Sequence, residues 1–121
     1  GMQESGFLTA MARGDRIGVV AISEGSILRH RKYLRRIGVL DRMVAERPLN
    51  MSVAQTASGK DTFERLEAVS NTLVQQDSAD VIVLGCAGLS VYRSRLETIL
   101  DCPVVDPTQS AVAMALGAVL A

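Results

Sequence analysis

Val81-Ile82-Val83-Leu84-Gly85-Cys86-Ala87-Gly88-Leu89-Ser90 is the stretch on which the fold turns. Four aliphatic residues with no polar alternation, followed by a turn of small residues, read as a buried strand of a parallel sheet. A helical pattern runs from Leu89 to Leu100. The turn therefore sets the Cys86 thiol at the C-terminal end of a strand and at the start of a helix. Backbone N–H groups and the helix dipole at such a place favour an anion, so a thiol there is suited to act as a base or a nucleophile. A small buried cysteine with no chemistry fits the same position. The residues of the turn leave both readings open.

Outward from this stretch the chain alternates strand and helix patterns. Residues 3–13 form a short helical segment stopped by Gly14. Ile17-Gly18-Val19-Val20-Ala21-Ile22 is a second buried-strand pattern within 16–22. Ser23-Glu24-Gly25-Ser26 then supplies turn and N-cap chemistry, and Ile27 to Ile37 is helix-like with Gly38 as its stop. A weaker strand spans Arg42 to Glu46, and Asn50 to Lys60, rich in Ser, Thr and Gly, reads as loop. Asp61 to Gln76 is the longest helical segment, with Phe63, Leu66, Val69, Leu73 and Val74 on one face. Pro103 to Val105 is a short strand, and Pro107 and Thr108 open a last, Ala-rich helix. This alternation predicts an α/β fold: three α/β/α layers around a mostly parallel sheet of about four strands, as a single unit over residues 1–121.

The 121 residues suffice for one core, and with 3% aromatic residues and no Trp that core is aliphatic. Thirteen basic and thirteen acidic side chains cancel, which gives no bulk electrostatic case for nucleic acid or an anionic membrane. No apolar run approaches the roughly 18 residues of a spanning helix, and no signal-peptide pattern opens the chain, so a cytoplasmic location is expected. Two cysteines make no disulfide framework. With one histidine, His30, far from both, the spacing supports no metal site. Gly1 before Met2 reads as an expression remnant.

Ligands of open parallel sheets collect beyond the carboxyl ends of the strands. Three such ends carry polar or special residues: Ser23 to Ser26, Gly85 to Gly88, and Asp106-Pro107-Thr108. Ser23 and Ser26 suit N-capping as well as ligand binding, and Asp106 reads first as a cap or turn former. Cys102 precedes its strand whereas Cys86 follows one. The two thiols are thus expected at opposite sheet edges, on the order of 10 Å or more apart, and unable to act as one pair. In Arg29-His30-Arg31-Lys32-Tyr33-Leu34-Arg35-Arg36, an apolar stripe of Leu28, Tyr33, Leu34 and Ile37 would leave the charges solvated; His30, one helical turn beyond Ser26, could face the ligand edge, but a surface position is the expectation.

With these residues in view, the chain resembles the aspartate/glutamate/hydantoin racemase superfamily. The Val-Leu-Gly-Cys-Ala-Gly-Leu run is similar to that of hydantoin and allantoin racemases. Cys102-Pro103-Val104-Val105-Asp106-Pro107 resembles the family's Pro-Val-Ile-Asp segment, and Ser23 to Tyr33 its hydroxyl-x-x-hydroxyl turn and following helix. The resemblance implies one lobe of a two-lobe fold and a cofactor-independent enzyme. In such enzymes a cysteine from each lobe faces one side of the substrate's acidic α-carbon. It casts Cys86 as the C-terminal-lobe acid/base. Ser23, Ser26 and the amides around Gly85, Ala87 and Gly88 would bind a small carboxylate or imide substrate.

It also implies that the first lobe and its cysteine are missing. The chain is then either a truncated product or a short homologue completed by self-association. Two other functions stand beside racemisation. One is a single-cysteine enzyme resembling arylmalonate decarboxylase. The other is a non-catalytic domain for small-anion binding or oligomerisation.

Overall fold

The computed structural model describes residues 2–121, and Gly1 lies outside them. Strands β1 (Ile17–Ala21), β2 (Met43–Pro48), β3 (Val81–Leu84) and β4 (Val104–Val105) form one sheet in the order β2-β1-β3-β4. All three pairings are parallel, with Ile17 opposite Val81 and Val83 opposite Val105. Parallel neighbours require crossovers. These are built from α2 (Glu24–Arg36), from α3 (Val53–Ser58) with α4 (Thr62–Gln75), and from α5 (Arg93–Leu100), while α1 (Met2–Arg13) precedes the first strand and α6 (Pro107–Leu120) follows the last.

The central strands β1 and β3 are buried along their whole length, as their unbroken apolar runs require. Their side chains alternate between two cores. Val81 and Val83 join Ile17 and Val19 against Phe7 and Ala10 of α1 and Leu34 of α2. Ile82 and Leu84 join Val20 against Leu66 and Leu73 of α4 and Leu96 of α5. The expected face of α4 is the one that is buried, with Val69 and Val74 at its margin. Each fully buried aliphatic side chain contributes about 1.5–3 kcal/mol, so this core needs no tryptophan.

Four local features differ from the sequence expectations. The segment 50–60 is not all loop: α3 forms there, held by a reciprocal cap in which Gln55 N–H donates to Ser52 Oγ at 3.0 Å and Ser52 N–H donates to Gln55 Oε1 at 2.8 Å. The helix expected over 89–100 is split into a 3-10 segment, Ala87–Tyr92, followed by α5. The edge strand runs to Pro48 and contains a bulge, since Ile17 pairs with Met43 but Gly18 with Ala45. Val44 and Ala45 consequently both meet the α4-side core, and Glu46 returns to the α2 side beside Val19.

The fourth difference is the rotation of α2 about its axis. Leu28, expected in the apolar stripe, is 70% exposed, whereas Ser26, His30 and Leu34 form the buried seam. A helix laid across β1 and β2 buries a stripe at four-residue spacing, and these three residues supply it.

Candidate functional site

Cys86 continues from β3 in extended conformation, with φ −141° and ψ 130°, and caps the 3-10 segment. The first turn closes with Leu89 N–H donating to Cys86 O at 3.0 Å. The thiol is therefore not at the N-terminus of an α-helix, and the full helix dipole expected there is absent.

A cavity of about 160 Å³ opens at this end of the sheet and runs down its α1/α2 face. Gly85, Cys86 and Ala87 line one wall, and Gln3 and Phe7 of α1, His30 of α2, and Pro107 and Thr108 of α6 line much of the remainder. Below them Val19, Val83 and Leu84 make the floor apolar.

Gly85 serves this wall by lacking a side chain. A Cβ on it would stand 2.5 Å from Val20 O and 3.1 Å from His30 Cε1. Its N–H donates to Val20 O at 2.7 Å, so the amide is already engaged in the sheet. Ala87 and Gly88 open the 3-10 segment, where backbone donors have no preceding carbonyl of the same turn to meet. Gly88 lies outside the cavity wall but against the thiol, since a Cβ on it would come within 3.7 Å of Cys86 Sγ.

Ser23 and Ser26 lie at the end of β1 and do not line this cavity. Ser23 occupies the N-cap position of α2 without making a side-chain cap bond. Its Oγ lies 3.4 Å from Ser26 Oγ, which also accepts from Arg29 Nη2 at 3.2 Å.

Asp106 is the cap that its sequence position suggested. Its carboxylate accepts from Gln109 N–H at 2.9 Å and lies 2.8 Å from Ser90 Oγ, tying the start of α6 to the 3-10 segment. It is 1% exposed. Asp106→Ala should cost about 1–2 kcal/mol in a urea unfolding titration, the usual loss for an N-cap.

His30 takes the alternative position, at the ligand edge, and not the surface position expected for it. It is buried rather than on the surface, it borders the Cys86 cavity, and its Nδ1 hydrogen-bonds Glu46 Oε2. The signal that decides between the two positions is the continuation of the Ser26–His30 spacing to Leu34, hidden among five basic residues.

Cys102 belongs elsewhere. It lies three residues before Val105, whereas Cys86 lies three residues after Val83, the partner of Val105. At about 3.3 Å per residue the two thiols are on the order of 20 Å apart along the strand direction. Burial first, then the carboxylates of Glu97, Asp80 and Asp101, push the Cys102 thiol up from its ordinary range. Alkylation by iodoacetamide at pH 8, read by peptide mass spectrometry, should therefore modify Cys102 several-fold faster in guanidinium than in the folded chain.

Among the described residues no cluster of His, Cys, Asp and Glu could hold a metal ion, and no helix is long and apolar enough to cross a membrane.

Residues 1–115 match the Asp/Glu/Hydantoin racemase family. A hydantoin racemase from Paenarthrobacter aurescens is 33% identical over 92 residues, covering 72% of this chain and 39% of the relative. The allantoin racemase from Pseudomonas fluorescens superposes with a TM-score of 0.91 at 25% identity, over 98% of this chain and 51% of that one. The allantoin racemase from Klebsiella pneumoniae has the same fold, with a TM-score of 0.95 at 23% identity over 99% of this chain and 49% of that one. The chain spans about half the length of these structures, and less of the curated relative.

Proposed function

The chain belongs to the Asp/Glu/hydantoin racemase family, and from that premise we propose that it forms one lobe of a thiol-dependent, cofactor-independent racemase site acting on a small carboxylate or imide. The observation that carries this reading is the position of Cys86 on the wall of a cavity at the carboxyl edge of the sheet. In the proposed step the Cys86 thiolate takes the α-proton. The C–H electron pair passes into the adjacent carbonyl, and negative charge gathers on that oxygen as an enolate. In this reading the amides of Ala87 and Gly88, at the open end of the 3-10 segment, would meet it, as donors aimed at developing charge do. Ser23 and Ser26, at the end of β1, would hold a more distant polar group of the substrate.

Inversion needs a proton from the opposite face. Cys102, at the other sheet edge, does not supply it, so a second lobe with its own acid completes the site in this reading. The apolar residues exposed along α6, Val112, Leu116, Val119 and Leu120, offer surface against which such a lobe would bury. The test is α-proton exchange on hydantoins bearing a small 5-substituent, run in D2O with and without the protein. Carbon dioxide release from an arylmalonate instead would replace racemisation by decarboxylation, and binding with neither reaction would make this a binding domain.

A further inference from the structure

The His30–Glu46 pair is unused by the proton transfer assigned to Cys86. The His30 side chain is 7% exposed and that of Glu46 1%. The histidine ring sits against Gly85, the residue before the thiol, and borders the same cavity. Among the described residues Glu46 Oε1 is buried with no hydrogen-bond partner, and the carboxylate's one hydrogen bond is to His30. A buried carboxylate held only by a histidine fixes that histidine; it has no other hydrogen-bonding role here.

Glu46 engages Nδ1 and so decides which ring nitrogen is left for the cavity: with Nδ1 occupied, Nε2 is the one available to a ligand. Nε2 is on the far side of the ring from Glu46, next to the Cε1 atom that faces Gly85.

We propose that His30, oriented by Glu46, is a second functional group of this cavity, donating from Nε2–H to a carbonyl or carboxylate oxygen of the ligand that Cys86 meets at carbon. This rests on the reading of the cavity as the substrate site. The ligand class that follows is a small molecule with an acceptor oxygen next to its acidic carbon and an apolar substituent, since Phe7, Val19 and Val83 line the rest. His30 would touch the substrate. Glu46 acts through His30 and is a positioning residue.

His30 is the sole histidine of the chain, so one imidazole appears in a long-range 1H–15N spectrum. The expected spectrum has Nε2 protonated, and adding 5-methylhydantoin shifts the Nε2 resonance saturably. In Glu46→Gln, which keeps size and shape, the carboxylate that holds Nδ1 is gone and the ring should lose its fixed orientation. Affinity for the probe should then fall about tenfold, with the backbone amide spectrum reporting retained fold. His30→Gln should slow α-proton exchange by about 10²-fold, the loss typical of one donor to a developing oxyanion.

A bare Nε2, an Nε2 resonance unmoved by the probe, or no binding at all overturns the proposal. Exchange that continues at full rate in His30→Gln sinks it while leaving the racemase reading intact. A probe that moves Nε2 without any exchange at carbon does the reverse.

Discussion

Replacing Cys86 by serine should lower α-proton exchange on a 5-substituted hydantoin by about 10²–10⁴-fold, the range for loss of a positioned acid/base. A serine hydroxyl has nearly the same volume and the same backbone setting, but it does not yield an anion near neutral pH. The cavity wall of Gly85 and Ala87, the His30 ring and the apolar floor all remain. Affinity for the hydantoin, measured by the shifts of cavity amides, should therefore be nearly unchanged. Rate loss with retained binding separates a chemical thiol from a packing one. Cys102→Ser, at the other edge of the sheet, should leave exchange unaltered and so serves as the control.

The second large effect is expected at Gly85. An alanine there would bring its Cβ to 2.5 Å from Val20 O, a backbone atom of the central strand that cannot swing aside. Relief requires β1 and β3 to part locally, which weakens the 2.7 Å bond from Gly85 N–H to Val20 O. Over-packing costs about 1–3 kcal/mol and the hydrogen bond about 0.5–1.5 kcal/mol, so a loss of about 2–4 kcal/mol is expected in urea or thermal unfolding. That is a large share of the roughly 5–15 kcal/mol that holds a domain together. The same Cβ presses on His30 Cε1, so the surviving folded fraction should also have a displaced imidazole. Gly117→Ala makes the contrast, since nothing lies within 4 Å of a Cβ on that glycine, and its stability should change little.

Much of this molecule is legible in its residue order. Strands buried on both faces are continuous apolar runs, which is why 17–22 and 81–84 announce β1 and β3. The face of α4 follows from its three- and four-residue steps. Asp106 before Pro107 is a cap by composition, and the structure uses it as one. The position of Cys86 at a strand end follows from the same run.

What escaped depends on contacts distant in sequence or on competing local signals. Ser52 and Gln55 make a capping box, yet the Thr, Ser and Gly around them spoke for loop. The turn after Cys86 tightens into a 3-10 segment where an α-helix was expected. The burial of His30 depends on Glu46, sixteen residues away, reaching the α2 face through a bulge in an edge strand. No local pattern encodes that bulge, and the surrounding Arg and Lys residues made the whole segment look solvated.

The most direct measurement is 1H NMR of one enantiomer of 5-methylhydantoin in D2O near neutral pH, with optical rotation followed in parallel. A single thiolate can remove the α-proton, take up deuterium and return it to the same face. The protein should therefore erase the α-proton signal faster than a protein-free control, and faster than rotation is lost wherever Cys86 works without an opposing acid. The Cys86→Ser chain should do neither. Exchange no faster than the protein-free control, or equal in Cys86→Ser, would contradict the assignment of proton transfer to Cys86.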